Sequence, residues 1–190
     1  MTKIYSGRIS YDGLNLVGMP PHEVTHRGIA YLPQTENVFS NLKVRENLTM
    51  AGYPISNDVF QERAKEVVDL FPFLRDCRDR RAGTLSGGER QMLAMAMALI
   101  KKPRVMMFDE PTASLAPKVV VQVLDQIARL REEQGMTIIL AEQNARKALE
   151  YGDQALLLVN GQIAFQGATS DLFNHRDLGK LYLGLKDAEE

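Results

Sequence analysis

The clearest chemical signals in this chain come from two short segments. Residues 85–91 read Leu-Ser-Gly-Gly-Glu-Arg-Gln, and residues 105–108 form an apolar run that ends in Asp109 and Glu110. A serine and two glycines at the start of a helix would present unpaired backbone N–H groups to an anion. Two carboxylates at the end of a buried strand supply oxygen ligands of the kind that Mg²⁺ prefers. Together the two segments predict a site for a nucleotide phosphate and a magnesium ion.

Each of these signals also has a simpler structural interpretation. An isolated Ser-Gly-Gly can be no more than a capped loop before a helix, and Asp109 can cap the helix after its strand. Gln34 follows the tripeptide Tyr-Leu-Pro at residues 31–33, which by itself is typical of an ordinary loop. The combination of segments at this spacing favours the phosphate-binding interpretation over the separate structural ones.

The elements that must position these residues alternate between strand and helix. Apolar runs bounded by turn residues predict strands, and apolar positions at helical spacing predict amphipathic helices. Such alternation is typical of an α/β fold with a parallel sheet, and the stretch from 44 to 100, which has only helices, indicates a helical insertion. The predicted strands are residues 8–11, 29–32, 105–108, 136–141, 155–159 and 162–166. The predicted helices are residues 21–27, 44–51, 56–71, 88–100, 117–134 and 144–151, with two short helices in the tail from Thr169.

Turn residues and apolar runs refine this prediction. Asp12-Gly13 and Asn160-Gly161 predict tight hairpin turns, and Pro117 suits the first turn of a helix. The runs at residues 105–108 and 136–141 are apolar enough to predict buried strands, the first of them covered on both faces as in a parallel sheet.

The composition describes an ordinary globular chain. It has 190 residues, of which 45% are apolar and 25% charged, and a formal net charge of −1. This balance gives no reason to expect nucleic acid as a partner, and no apolar run approaches the roughly 20 residues that span a bilayer. The single cysteine, Cys77, cannot form an internal disulfide, and its charged neighbours predict a surface thiol without a catalytic role.

Two other sets of side chains have a metal-binding or a packing interpretation. His22 and His26 are four residues apart on a predicted helix, which is a metal-ligand spacing. Without a third ligand nearby, an exposed helical face is the better interpretation. The methionines from 92 to 107 lie at core spacing and are predicted to pack in the interior.

The segment at residues 85–91 and the carboxylates after residue 108 resemble the ATP-binding-cassette (ABC) ATPases. In that family, the signature motif contacts the γ-phosphate of a nucleotide held by the opposite subunit. The resemblance therefore implies a dimer with ATP between two subunits. The residues that it implies for nucleotide binding are Leu85, Ser86, Gly87, Gly88 and Glu89.

The resemblance also implies roles for the residues near the carboxylates. Asp109 is similar to the family's Walker B aspartate, which holds magnesium through water, and Glu110 to the carboxylate that polarises the attacking water. Gln34 resembles the glutamine of the Q-loop, which reaches the metal or the attacking water. ATP and Mg²⁺ are the cofactors that these matches imply.

Two departures from the common pattern resemble one subgroup, the ATP-binding subunits of branched-chain amino-acid importers. Residues 114–117, Ser-Leu-Ala-Pro, occupy the D-loop, where most of the superfamily has an aspartate at the position of Pro117. Gln143 stands at the switch position, which usually holds histidine; a neutral amide can hydrogen-bond a γ-phosphate but cannot carry a positive charge. The segment Tyr182-Leu183-Gly184 also fits this subgroup.

The resemblance implies a P-loop NTPase-type parallel sheet flanked by helices, with the ABC helical subdomain inserted. Residues 1–43 would be core with the Q-loop, residues 44–100 the helical subdomain, and residues 101–190 core with the Walker B strand, the D-loop, the switch region and a tail. The 190 residues contain no Gly-x-x-x-x-Gly-Lys-Ser/Thr motif. We therefore expect one truncated domain whose first strands, phosphate loop and first helix are missing, and which alone neither binds ATP tightly nor hydrolyses it.

The function implied by the resemblance is an ATP-binding subunit that powers uptake of branched-chain or related amino acids. Its expected partners are a second ABC ATPase subunit, identical or not, permease subunits that dock near residues 34–47, and indirectly a periplasmic binding protein. Its expected location is cytoplasmic, on the inner face of the membrane. One alternative is a non-hydrolysing module that lends its signature motif to a partner's nucleotide. Another is an ABC ATPase for a different cargo, such as urea, another amide or lipopolysaccharide.

Overall fold

The computed structural model describes residues 6–35 and 37–174 of the chain. They divide into two compact units, Met1–Ala141 and Glu142–Glu190. In the described residues the helices are α1 (Pro21–His26), α2 (Val44–Gly52), α3 (Asn57–Leu70), α4 (Phe73–Asp76), α5 (Gly87–Leu99), α6 (Pro117–Gln134), α7 (Ala145–Leu149) and α8 (Thr169–Phe173). The strands are β1 (Ser10–Tyr11), β2 (Leu14–Asn15), β3 (Ile29–Leu32), β4 (Val105–Asp109), β5 (Thr137–Ala141), β6 (Gln154–Val159) and β7 (Gln162–Ala168).

The first unit begins with a small hairpin of β1 and β2. The turn residues Asp12 and Gly13 have φ angles of 47° and 78°, as a two-residue hairpin turn of the predicted kind requires. Only Ser10–Tyr11 of the predicted strand 8–11 pairs with β2. Helix α1 follows with Pro21 in its first turn, and Gly28, at φ 87°, turns the chain from α1 into β3.

The central sheet of the first unit has three parallel strands in the order β3-β4-β5. The register places Leu32 beside Phe108, and Phe108 beside Leu140. All three carboxyl ends therefore lie along the same edge of the sheet. The segments that follow β3 and β4, which contain Gln34 and Glu110, start from this edge.

The two faces of this sheet differ in burial. Side chains that share a face with Phe108, such as Leu32 and Met106, are buried, and α5 and α6 pack against β3 and β5. On the opposite face Tyr31 is 58% exposed and Ile139 is 51% exposed. The described helices therefore leave part of this second face open.

Two expectations about these strands are thus wrong. Residues 136–141 were predicted to form a buried strand, but β5 alternates between half-buried and exposed side chains. Among the described residues β5 pairs only with β4, and an apolar run alone cannot distinguish an edge strand from a central one. Residues 105–108 were predicted to be covered on both faces, yet Met107 is only half-buried.

Between residues 43 and 100 the regular elements are helices joined by turns, including a 3₁₀ helix at Ala82–Thr84, and one isolated bridge pairs Lys43 with Arg81. The predicted helices 44–51, 56–71 and 88–100 correspond to α2, α3 and α5, with ends that differ by one residue. Cys77 follows α4 and is only 3% exposed, so the predicted surface thiol is wrong. Its burial raises the pKa of the thiol, which makes a reactive thiolate less favourable.

Asn47 on α2 is a buried polar residue that holds the loop before the helix. It is fully buried, and its Oδ1 accepts the Phe39 N–H at 2.7 Å. Its Nδ2 donates to the carbonyl oxygens of Phe39 at 3.1 Å and Lys43 at 3.0 Å. One amide therefore satisfies backbone groups on both sides of the turn into α2.

We expect Asn47→Ala to lower the free energy of unfolding by about 1–3 kcal/mol, because it leaves the Phe39 N–H without its acceptor and removes the hydrogen bonds of a fully buried amide. Urea unfolding followed by circular dichroism measures this change. Asn57→Ala, at an exposed position of α3, is the matched control and should change stability by less than about 0.5 kcal/mol. Equal losses for both variants would contradict a special role of the Asn47 amide.

Helix α6 agrees with its prediction at both ends. Pro117 lies in its first turn, and Gly135, at φ 62°, ends it in the left-handed conformation. Its apolar side chains Val123, Leu124, Ile127 and Leu130 lie at helical spacing on one face and are buried. This face ties α6 to the core of the first unit.

The second unit contains α7, the hairpin of β6 and β7, and α8. The turn residues Asn160 and Gly161 have φ angles of 51° and 77°, which confirms the predicted tight turn. Leu149, Leu157 and Leu172 form the buried core of this unit. The predicted second tail helix and the segment Tyr182-Leu183-Gly184 lie outside the described residues.

Two further observations concern the described residues as a group. None of their helices combines the length and the hydropathy that crossing a bilayer requires. His22 and His26 are both exposed on α1, which confirms the predicted exposed helical face. In the ranges 6–35 and 37–174, no group of three His, Cys, Asp or Glu side chains is placed to hold a metal ion.

Candidate functional site

The two predicted carboxylates stand at the carboxyl end of the central strand. Asp109 is the last residue of β4, and Glu110 follows with a φ of 46°. A left-handed conformation is costly for a residue with a side chain and is often found at functional sites. The Glu110 N–H donates to the carbonyl of Ala141 at 2.8 Å, which ties the turn to the end of β5.

Both carboxylates accept hydrogen bonds from the neighbouring strand β3 and the loop after it. The Tyr31 hydroxyl donates to Asp109 Oδ2 at 2.8 Å, and Gln34 Nε2 donates to Glu110 Oε2 at 2.8 Å. The structure thus brings together Gln34, Asp109 and Glu110, three of the residues singled out in the sequence. The Q-loop resemblance predicted proximity of Gln34 to the metal or water, and the direct contact with Glu110 is an addition.

Tyr31 is a site residue that the sequence analysis missed. It lies beside Met107 in the parallel register, on the face of the sheet that carries Asp109 two residues later. If the register of β3 and β4 had been known, the alternation of side chains along the strands would have placed Tyr31 and Asp109 on the same face of the sheet. The hydrogen bond to Asp109 raises the pKa of the Tyr31 phenol, because losing that proton would place two negative charges side by side.

This donor set fits magnesium better than a transition metal. Two carboxylates and one amide oxygen are hard ligands, and Asp109 and Glu110 are half-buried, so water can reach them. Mg²⁺ is commonly held by one or two carboxylates together with waters and phosphate oxygens rather than by a full protein cage. Asp109 is the residue that would hold it, with Gln34 and Glu110 beside it.

The predicted phosphate-binding segment stands at the start of α5. Ser86 is the N-cap, and its Oγ accepts the Glu89 N–H at 3.3 Å while the Glu89 carboxylate accepts the Ser86 N–H at 2.7 Å. This reciprocal capping box fixes the first turn. The Ser86 hydroxyl can still donate its own proton, so the predicted donor remains available.

The capping box also affects the ionisation of Glu89. Because its carboxylate accepts the Ser86 N–H, the pKa of Glu89 lies below its ordinary value. The charged form is therefore favoured in the folded chain. Its contribution to stability is present at neutral pH and is lost as the pH falls through this lowered pKa.

The two glycines of the segment have a packing role that the sequence did not reveal. A Cβ atom on Gly87 would lie 2.7 Å from a methyl of Leu115, and one on Gly88 would lie 2.4 Å from a methyl of Val119. Leu115 belongs to the predicted D-loop and Val119 to the first turn of α6. The absence of side chains at 87 and 88 thus lets the start of α5 approach this segment closely, in addition to leaving the backbone open to an anion.

Asn37 connects the loop after Gln34 to α5. Its Nδ2 donates to Gln91 Oε1 at 3.0 Å, across 54 positions of the sequence. Asn37 was not singled out from the sequence, and no local pattern marks it. Gln91, the last residue of the segment 85–91, therefore has a hydrogen-bond partner in the predicted Q-loop.

Leu85 and Gln143 are the two remaining residues that the sequence analysis predicted for the site. Leu85 is buried directly before the N-cap of α5, so its side chain acts in packing. Gln143 belongs to the second unit and is exposed. It precedes Asn144, the N-cap of α7, whose Oδ1 accepts the Lys147 N–H.

Comparison with known proteins identifies sequence relatives of the chain. The profile of the ABC transporter family matches residues 1–113. The chain is 48% identical to the probable branched-chain amino acid transport ATP-binding protein LivF of Archaeoglobus fulgidus, over 98% of this chain and 79% of the relative. It is 42% identical to the high-affinity branched-chain amino acid transport ATP-binding protein BraG of Pseudomonas aeruginosa, over 94% of this chain and 76% of the relative.

A solved structure supports the fold. The ADP conformation of MJ1267, an ATP-binding cassette of an ABC transporter, matches with a TM-score of 0.83 at 24% identity, over 96% of this chain and 79% of that one. The predicted α/β class with a parallel sheet flanked by helices is thereby confirmed.

Proposed function

This chain belongs to the ABC transporter family of ATP-binding proteins, and on that premise we propose that it powers an importer of branched-chain amino acids. The observation that carries the proposed chemistry is the contact between Gln34 and Glu110 at the end of β4. It joins the glutamine and the carboxylate that the family resemblance assigns to the attacking water. The two relatives described above, both named for branched-chain amino acid transport, support the cargo.

The proposed chemistry uses the carboxyl edge of the sheet. Asp109 would hold Mg²⁺ through water, and Glu110 would accept the proton of the water that attacks the γ-phosphate. Gln34 donates to one oxygen of Glu110 and thereby fixes the orientation of the carboxylate. When bound, the nucleotide would supply the phosphoryl group, and the magnesium ion would neutralise the negative charge of its phosphates.

The start of α5 is proposed to act on the nucleotide of the partner subunit. Its helix of 13 residues has Ser86 as N-cap, and the N–H groups of the first turn favour an anion in front of the helix. Gln143 is proposed to hydrogen-bond the γ-phosphate from the switch position as a neutral amide. A second ATPase subunit is therefore a required partner.

The proposed permease contact lies between residues 34 and 47. Phe39 is 50% exposed, while its backbone is fixed by the buried amide of Asn47. A firmly held loop with an exposed aromatic side chain suits a protein contact. Docking there would make the protein peripheral on the inner face of the membrane.

Tyr31 provides a test of the proposed magnesium site. We expect Tyr31→Phe to raise the Mg²⁺ concentration needed for nucleotide binding by about tenfold, because a group that orients a metal-binding carboxylate typically contributes that much. A Mg²⁺ titration with a fluorescent ATP analogue measures this in a fusion of residues 6–190 to the phosphate-loop segment of an ABC ATPase, because the 190 residues contain no phosphate-loop motif. Tyr53→Phe, at a tyrosine that is 85% exposed, is the control, and equal Mg²⁺ requirements in all three proteins would contradict the role of Tyr31.

Transport itself tests the cargo. The same fusion to a phosphate-loop segment is reconstituted in vesicles with the permease subunits and the binding protein of its transport complex. ATP-driven uptake of labelled leucine, urea and glutamine is then compared. Uptake of leucine above the other two is expected. Preferred uptake of urea would replace the proposed cargo, and ATP hydrolysis without any uptake would point to the export alternative.

A further inference from the structure

A cationic pocket lies at the opposite end of the sheet from the carboxylates. It has a volume of about 500 Å³ and is formed by α1, the segment after α2, α3 and the segment between α5 and β4. Gly28 and Arg104, which directly precede β3 and β4, both line it. The five residues of β4 span about 15 Å at the usual rise of a strand, so this pocket is separate from the site at Asp109.

The charge of the lining is of one sign. The chain as a whole has 23 Lys and Arg against 24 Asp and Glu, so an average lining would contain similar numbers of each. This lining contains no Asp or Glu. Its charged members are Arg27, Arg63, Lys101, Lys102 and Arg104, joined by the two histidines of α1.

Part of this charge is already compensated. Lys102 pairs with Glu66 at 2.8 Å, and Arg104 pairs with Asp12. Arg63 donates to the carbonyl of Ile100 at 3.1 Å. Arg27 and Lys101 have no ion pair within the described part of the chain, so the pocket keeps uncompensated positive charge.

Stabilisation of a helix end explains only part of the arrangement. Arg63, Lys101 and Lys102 lie near the carboxyl end of α5, where cations interact favourably with the helix dipole. Arg27 follows α1 and Arg104 precedes β4, and neither belongs to that end. Cations from three separate parts of the chain therefore converge on one cavity.

We propose that this pocket binds a ligand with clustered phosphate groups, separately from the proposed nucleotide site. Guanidinium groups match phosphate oxygens in geometry and carry several donors each. A cavity of about 500 Å³ lies within the usual size of small-molecule sites. The phosphates can belong to a soluble compound or to the headgroups of an anionic lipid, and the experiment separates these sources.

The test uses the whole 190-residue chain and two probes. Tripolyphosphate is titrated by calorimetry and by NMR at the backbone amides of Arg27 and Lys101. Vesicles of phosphatidylcholine with 30% phosphatidylglycerol are tested in parallel by co-sedimentation. The test variant is Arg27→Gln with Lys101→Gln, and the matched control is Arg8→Gln with Lys65→Gln, which removes the same charges at exposed positions outside the pocket.

The proposal expects saturable binding with chemical-shift changes confined to the pocket, weakened at least tenfold in the test variant and less than twofold in the control. Binding of tripolyphosphate assigns a soluble ligand, and binding of vesicles alone, lost in the test variant, assigns a lipid headgroup. Absence of saturable binding to either probe overturns the proposal. Equal losses in both double variants overturn it as well, because they show attraction by net charge only.

Discussion

Arginine in place of Ser86 is expected to remove ATP turnover from a mixed dimer of this chain with an ATPase subunit that has an intact phosphate loop. In that dimer one composite site would form from the partner's phosphate loop and residues 85–91 of this chain. The N–H groups at the start of α5 face outward from the helix, so they serve an anion in front of it. This expectation rests on the proposed function.

The expected effect is large because the substitution acts in two ways. Ser86 is the N-cap of α5 and accepts the Glu89 N–H, and its loss weakens the capping box. The bulky arginine also blocks closure of the dimer on the γ-phosphate. Turnover of the composite site should fall to the level of the partner alone, while the partner's own binding of nucleotide is unchanged.

ATP hydrolysis by the mixed pair and by each subunit alone measures this effect. Ser56→Arg is a suitable control, since Ser56 is the N-cap of α3 and makes no side-chain capping hydrogen bond. Thermal unfolding of the Ser86→Arg chain separates a folded, inactive variant from an unfolded one. Full activity of the Ser86→Arg mixture would exclude action of this segment on the partner's nucleotide and would remove the alternative of a non-hydrolysing module.

Replacement of Glu110 by glutamine is expected to lower the rate of ATP hydrolysis by about 10²–10⁴-fold, the usual contribution of a general base. Glutamine keeps the shape of the side chain and its contact with Gln34, but it cannot accept the proton of the attacking water. Nucleotide binding should persist, and the dimer with trapped ATP should live longer.

The measurement needs a phosphate loop in the same subunit, so residues 6–190 are fused to the phosphate-loop segment of an ABC ATPase. Hydrolysis is followed by phosphate release and dimerisation by gel filtration with ATP. Glu62→Gln, at an exposed position of α3, is the control and should keep full activity. Turnover of Glu110→Gln at the unmodified rate would assign the general base to another residue.

The features that the sequence predicted correctly are those with a local cause. The turns at Asp12-Gly13 and Asn160-Gly161 need two residues that tolerate positive φ, and Asp-Gly and Asn-Gly are the pairs that do so most readily. Pro117 and Gly135 likewise mark the two ends of α6. The helix start at Ser86-Gly87-Gly88 was predicted as well, and the reciprocal hydrogen bonds between Ser86 and Glu89 are an addition from the structure.

The features that the sequence did not predict depend on contacts between distant segments. The hydrogen bond from Tyr31 to Asp109 requires the parallel register of β3 and β4, and that from Asn37 to Gln91 requires the packing of a loop on α5. Cys77 misled the prediction because its sequence neighbours are charged, although its own side chain points into the core. Local composition describes neighbours along the chain and not those in space.

The close approach of Gly88 to Val119 has a consequence for genetic experiments. Loss of function after a Gly88→Ala change would have two causes, a disturbed anion contact and a collision with the Val119 side chain. Only the collision can be relieved from a second position. A smaller residue at 119 should then act as an intragenic suppressor, and the fraction of activity that it restores would separate the structural from the nucleotide-contacting role of this glycine.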